Sequence, residues 1–182
     1  MDESTGLILK ALRFAAEKHK SQKRKDTEGS PYINHPIQVT EILWEIGDVR
    51  DMTLLLAAIL HDTIEDTDAM PDEIRMNFGE DVLALVLEVT DDKSLPKEVR
   101  KQRQVETAPL KTRRARLLKI ADKISNVQDI IRTPPKDWSL ERRQEYVLWS
   151  QRVVAGLRGV NKKLESRYDE ILAEGKRLLE LE

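Results

Sequence analysis

Residues 54–68 read LLLAAILHDTIEDTD: seven apolar residues, Leu54 to Leu60, run without a break into His61 and then into Asp62, Glu65, Asp66 and Asp68. No Lys or Arg follows until Arg75. An apolar run of this kind, set in a chain with helical spacing, predicts a buried helix over about 50–62. Its end would carry His61 and Asp62 to the edge of the core, and there the acids face the wrong pole. A helix C-terminus is partially negative, so each anion near it costs roughly 0.3–1 kcal/mol. Desolvated like charges take up a proton unless a cation compensates them. Two readings of the stretch are open. The acids and threonines can form a solvated loop that caps the next turn. Alternatively, a divalent cation holds them, because a metal accepts imidazole nitrogen and carboxylate oxygen together.

The rest of the chain is all-helical by its spacing. Leu7, Ile8, Ala11, Leu12, Ala15 and Ala16 recur at helical intervals, and no convincing period-2 alternation occurs anywhere. A turn-rich segment, 21–34, precedes a helix that starts at Pro36 and runs to about Glu45, which puts His35 at a loop-to-helix junction. Further helices are expected from Pro71 to before Gly79, from Asp81 to Val89, from Pro96 through the basic stretch LPKEVRK, and from about Arg114 to Ile131, a helix that Pro134 and Pro135 stop. Two amphipathic helices, about 139–157 and 160–179, complete one compact helical domain over 1–182, with Trp138, Tyr146 and Trp149 as packing residues.

Composition narrows the function. With 182 residues, 40% hydrophobic and 35% charged, the chain is long and apolar enough to bury a core. The formal net charge of −2 lacks the basic excess of a general nucleic-acid binder. No apolar run approaches the roughly 18–20 residues of a membrane span, and MDESTGLILK opens with acids where a secretory signal carries positive charge. A cytoplasmic protein is expected. Zero cysteines exclude disulfides, thiolate zinc sites and a cysteine nucleophile, so any metal is held by His, Asp or Glu.

Only three histidines are present, His19, His35 and His61. His19, within EKHKSQ, reads as a surface residue. Neither an EF-hand nor an HExxH is found: a calcium loop opened at Asp62 would put Ile64 and Met70 at ligand positions. A second candidate buried carboxylate is Asp122 in LLKIADKISN. Lys123 is its neighbour in sequence and points elsewhere, while Lys119 and Asn126 share its face, so a structural Lys119–Asp122 ion pair is as open as a ligand role.

Four segments together, RKDTEGSPYINHP (24–36), AAILHDTIEDT (57–67), VTDDKSLPKEVRKQRQVE (89–106) and KIADKISN (119–126), resemble the hydrolase half of the RelA/SpoT homologues. The chain is similar to the stand-alone small alarmone hydrolases of the HD superfamily, including the animal SpoT homologues. The resemblance runs from the first helix to about Gly159. It implies an HD-type helical bundle that hydrolyses guanosine tetra- or pentaphosphate to GDP or GTP and pyrophosphate. It also implies a metal, usually Mn²⁺, held at the matching positions His35, His61, Asp62 and Asp122; Zn²⁺, Fe²⁺ or Co²⁺ suits the same donors. Glu65 and Asp66 match the family's catalytic pair, which orients and deprotonates the attacking water. Arg24 and Lys25 match its basic loop, and Asn126 a substrate-contacting position. Lys97, Tyr32 and Tyr146 are further candidates for the nucleotide, with core packing the alternative for Tyr146. Lys18, Lys20, Lys23, Arg113, Arg114 and Arg116 read as a solvated charged face. A second activity in the family, removal of the 2′-phosphate of NADPH, uses the same metal and acids. A non-catalytic nucleotide-binding domain would have lost a ligand or an acid, and none is lost. No membrane or nucleic-acid partner is expected, and the oligomeric state is not legible.

Overall fold

The computed structural model describes residues 3–26 and 28–181. Among them it contains helices and no named strand; one isolated bridge, Lys23 to Pro31, pins the base of the turn-rich segment. The α-helices are α1 (Glu3–Lys18), α2 (Asn34–Glu41), α3 (Met52–Leu60), α4 (Thr63–Asp66), α5 (Pro71–Phe78), α6 (Glu80–Val89), α7 (Lys97–Thr107), α8 (Arg113–Arg132), α9 (Leu140–Leu157) and α10 (Lys162–Leu178). A single wide π-turn, Ile42–Ile46, extends α2, and a 3-10 turn, Ala108–Leu110, follows α7. The expected helix over 36–45 is therefore two pieces, 34–41 and 42–46.

The helix predicted from the opening stretch lies at the centre. Every residue of α3 from Leu54 to Leu60 is buried, against α1, α2, α6 and α8, so from Leu54 onward the helix has no solvent face and needs none. Each large apolar side chain buried in this way contributes about 1.5–3 kcal/mol relative to exposure. Asp51 caps the helix, accepting from Leu54 N at 3.3 Å, and its other oxygen pairs with Arg114 at 2.6 Å. The core then continues through α8 to α9 and α10, where Leu164, Tyr168 and Ile171 are fully buried.

Two elements that frame the site depend on local sequence. α8 starts behind the Thr112 cap, which accepts from Ala115 N, and stops at Thr133 before Pro134 and Pro135. Gly156 lets the turn after α7 close onto α9: a Cβ there would come within 2.9 Å of Ala108 Cβ and of Pro109 Cδ. The absence of that Cβ sets how near α7 sits to α9.

Candidate active site

The acids after α3 are not a helix end in the simple sense. α3 stops at Leu60, His61 and Asp62 form the elbow, and the chain re-enters helix at Thr63, so Glu65 and Asp66 lie in the first turn of α4. The unfavourable dipole therefore acts on His61 and Asp62, and the turn redirects the next two acids towards α6 and the loop after it. Thr63 is buried and locks the elbow, donating its hydroxyl to Leu60 O at 2.6 Å.

His35 from the start of α2, His61 and Asp62 from the elbow, and Asp122 from the middle of α8 converge on one recess of about 180 Å³. His35 Nε2 is 3.2 Å from Asp122 Oδ1 and 3.7 Å from Asp62 Oδ2. His61 Nε2 is 3.1 Å from Asp62 Oδ2 and 3.9 Å from Asp122 Oδ1. One ligand atom from each of His35, His61 and Asp62 falls within 4.8 Å of the others.

The far side of each ring fixes its tautomer. His61 Nδ1 lies 2.8 Å from Ala58 O, and a carbonyl only accepts, so Nδ1 carries the hydrogen. His35 Nδ1 lies 3.0 Å from Ser125 Oγ, whose own hydrogen is donated to Gln38 Oε1 at 2.8 Å, so the ring donates here too. Both Nε2 lone pairs therefore aim at the two carboxylates, which is the wrong polarity for direct contact and the right one for a shared cation. His61 Nε2 is buried and finds no aligned hydrogen-bond partner, although Asp62 is close. The donor set thus fits a divalent cation.

Without a cation between the donors, a proton on His61 takes its place. Burial alone would lower His61, but Asp62 and then Asp122 outweigh it and push its pKa up to about 9. Burial lowers His35 below its ordinary value, against the pull of Asp122. For Asp62 and Asp122 burial is overcome by positive neighbours, His61 for the first and Lys123 for the second, and both carboxyls are held well below the usual range.

The partners of Asp122 and the burial of His19 differ from the sequence expectation. Lys123, not Lys119, pairs with Asp122, at 2.9 Å. α8 is buried on most sides, and the Lys123 ammonium sits over the Trp149 ring, 4.7 Å from its centroid, where it also reaches the adjacent acid. Lys119 instead reaches Val89 O at 3.5 Å, and burial brings its pKa down to about 8. His19 is no surface residue: it is 3% exposed. The signal was present, because Ala11, Ala15 and His19 are spaced by four along the buried face of α1 and the turn that continues it, where His19 N donates to Ala15 O at 2.9 Å.

Glu65 and Asp66 line the same recess, Asp66 where it meets the outer cleft, and each is held by groups far away in sequence. Glu65 Oε2 accepts from Asp91 N at 2.9 Å and its other oxygen lies 3.9 Å from Arg100. Burial, with Asp91 and Asp62 adding repulsion, pushes its pKa up to about 7. Asp66 is paired with Lys93 through Oδ1 and accepts from Gln22 Nε2 at 3.3 Å through Oδ2. The loop between α6 and α7 and α7 itself therefore supply cations that sequence proximity could not reveal.

The recess opens to a cleft of about 330 Å³ lined by Arg24, Lys25, Tyr32, Asn126 and Tyr146, all five singled out above. Arg24 pairs with Asp129 and donates to Asn126 Oδ1 at 3.3 Å, and Asn126 in turn donates to Asp122 Oδ1 at 2.6 Å. Tyr32 lines the cleft with its ring but commits its hydroxyl to Asp62 Oδ2 at 2.6 Å. Lys97 is not in this cleft. It lines an adjoining one of about 630 Å³ that shares Lys25, Trp138 and Tyr146, and there Lys101, Arg142 and Lys25 join burial in lowering its pKa. Tyr146 packs edge-on to Trp149 at 5.2 Å and against Trp138 at 5.8 Å, so it serves the wall and the packing together. Arg113 and Arg116 donate to the Val160 and Leu157 carbonyls, and Arg114 to Asp51, away from both clefts.

Residues 11–153 match the HD domain family. The chain belongs to the HD domain family. Within this HD family it is a SpoT homologue. It is 50% identical over 174 residues, 96% of its length, to 97% of the Xenopus tropicalis guanosine-3′,5′-bis(diphosphate) 3′-pyrophosphohydrolase MESH1, and 51% identical over 91% of its length to 92% of the Homo sapiens MESH1. A solved structure described as a metazoan orthologue of SpoT that hydrolyses ppGpp superposes with a TM-score of 0.90, at 45% identity, over 92% of this chain and 94% of that one. An HD domain implies a divalent metal, and His35, His61 and Asp62 form a group whose ligand atoms are close enough to hold one.

Proposed function

We propose that this HD domain is a metal-dependent guanosine-3′,5′-bis(diphosphate) 3′-pyrophosphohydrolase. The observation that carries the reading is the meeting of two imidazole Nε2 atoms and two carboxylates at the floor of a cleft walled by cations and aromatic rings. The relatives named for this reaction, at about half identity over nearly the whole chain, support it.

His35, His61, Asp62 and Asp122 would hold the cation, with Mn²⁺ the one we assign. Such an ion lowers the pKa of water and offsets the charge on phosphate oxygens. Glu65 and Asp66 orient the attacking water and accept its proton. The water oxygen adds to the phosphorus bonded to the ribose 3′ oxygen, that P–O bond breaks, and the 3′ oxygen leaves and regains a proton. The products are pyrophosphate and GDP, or GTP from the pentaphosphate. Arg24, Lys25 and Lys97 face the nucleotide's phosphates, Asn126 its sugar, and Tyr32 and Tyr146 its ribose or base. Residues 1–182 are taken as one HD-type domain, supported by the packing of α10 on α8 and α9 beyond the matched span. No described helix is long and apolar enough to cross a membrane. A cytoplasmic location is proposed with it, supported by the charged, cysteine-free composition.

The test incubates Mn²⁺-loaded protein separately with guanosine tetraphosphate and with NADPH and separates the products by chromatography. Pyrophosphate and GDP from the first are expected. Orthophosphate from NADPH, with guanosine tetraphosphate untouched, overturns the reading in favour of the 2′-phosphatase alternative. Replacing Mn²⁺ by Zn²⁺, Fe²⁺ or Co²⁺ in the first reaction ranks the metals.

A further inference from the structure

His19 closes the buried face of α1 after Ala11 and Ala15, and its side chain makes two contacts that lead to different parts of the site. The ring nitrogen Nδ1 lies 2.7 Å from Gln22 Oε1. Gln22 Nε2 donates to Asp66 Oδ2 at 3.3 Å. The polarity of this chain is fixed from its far end: a carboxylate only accepts, so the Gln22 amide nitrogen faces Asp66, its oxygen faces His19, and His19 Nδ1 carries the hydrogen. The remaining nitrogen, Nε2, is buried with no partner among the described residues, so burial of this imidazole returns a single hydrogen bond, the one to Gln22. The same ring lies on Tyr32, with centroids 4.7 Å apart and planes 33° apart, and the Tyr32 hydroxyl donates to Asp62. The backbone ties the group together, since Tyr32 N donates to Gln22 O at 3.1 Å and Gln22 N to His19 O at 2.9 Å.

We infer that His19 and Gln22 are positioning residues for Asp66. The inference rests on the reading above that Asp66 handles the water's proton. Asp66 has two tethers of different quality. Lys93 holds Oδ1 from an exposed loop residue, and such a pair is screened by solvent and salt. Gln22 holds Oδ2 from the inner side, and His19 removes the amide's freedom to turn over. With Gln22 alone, the amide could rotate and present its oxygen to the carboxylate. With Lys93 alone, Asp66 is drawn towards the loop and away from the recess. Gln22 lines the nucleotide cleft, but both ends of its amide are committed, to His19 and to Asp66, so the two residues act through the direction of one carboxylate oxygen.

The experiment measures kcat, KM and melting temperature, with whichever nucleotide the wild type hydrolyses, for His19→Phe, His19→Asn, Gln22→Leu, the double variant His19→Phe/Gln22→Leu and Asp66→Asn. Phe keeps the ring on Tyr32 and removes the hydrogen bond; Asn supplies an N–H near the position of Nδ1 without the ring. Both Gln22→Leu and His19→Phe are expected to lower kcat roughly tenfold with KM within about twofold. His19→Asn should recover most of that loss, and the double variant should be no worse than the worse single variant, because one relay is broken only once. Single variants with kcat within about twofold of wild type, losses that multiply in the double variant, or an Asn variant no better than Phe each overturn the inference, as does a loss of kcat that simply follows the loss of melting temperature. Full turnover by Asp66→Asn removes the role assigned to Asp66 and this inference with it; an inactive Asp66→Asn beside a fully active His19→Phe removes the inference alone.

Discussion

The recess and the cleft above it are built by opposite means. In the recess, four donors come from the ends and middle of buried helices, and each imidazole is aimed by a fixed partner behind it, Ala58 O or Ser125 Oγ. In the clefts, Arg24 is partly buried and tied to Asp129, but the lysines are exposed: Lys25 on the turn-rich loop, Lys97 on α7, a helix with no buried residue. Rigid, desolvated donors suit chemistry whose geometry is the same for every phosphate ester, whereas cations on solvated elements suit recognition of an anionic ligand that must enter and leave. Substitutions in the recess should therefore act on metal and turnover, and substitutions in the clefts on apparent affinity.

The strongest break in this contrast comes from Asp62. Asp62→Ala should lose metal and activity together, by more than about 10³-fold in kcat, read by metal analysis beside the pyrophosphate assay; Glu65→Gln should keep the metal and lose about 10²–10⁴-fold in turnover. Full activity in metal-free Asp62→Ala protein refutes the assignment. A smaller effect is expected one step further out, where Ser125→Ala leaves His35 unaimed and should weaken Mn²⁺ binding roughly tenfold by titration.

In the clefts, Lys97→Ala should raise KM several-fold at low salt and leave kcat near wild type, and the difference should shrink as added salt screens the Lys97, Lys101 and Arg142 group. An effect confined to kcat would place Lys97 with the recess. The smallest effect is on stability. Burial raises the Glu65 carboxyl to about 7, so the folded state binds its proton more tightly than the unfolded chain. That contribution is fully present below the ordinary glutamate value and is lost as pH rises through about 7. In metal-free protein, Glu65→Gln should gain on wild type by roughly 2 kcal/mol between about pH 5 and pH 8. Thermal melts at the two pH values, repeated with Mn²⁺, check this; a constant difference would show that Glu65 titrates as an ordinary acid.

Much of this was legible before folding. The apolar run 54–60 required a buried helix, the proline and glycine positions set most helix limits to within a few residues, and the acids beside His61 required compensation, because these are local properties of composition and spacing. His19 was legible too, through its four-residue spacing from Ala15, but a charged neighbourhood, EKHKSQ, masked it. Lys123 was misjudged because residue spacing gives the direction of a Cβ and not the end of a long flexible stem.

The sequence by itself determined the helical class, the central helix and the donor types, since hydrophobic periodicity and ligand chemistry are written residue by residue. Only the tertiary structure decided which cations face which acids: Lys93 for Asp66, Arg100 for Glu65 and Lys123 for Asp122. Electrostatic attraction depends on distance in space. The chain brings Lys93 to Asp66 across 27 residues, and Gln22 to the same acid across 44, a closure that no local pattern encodes.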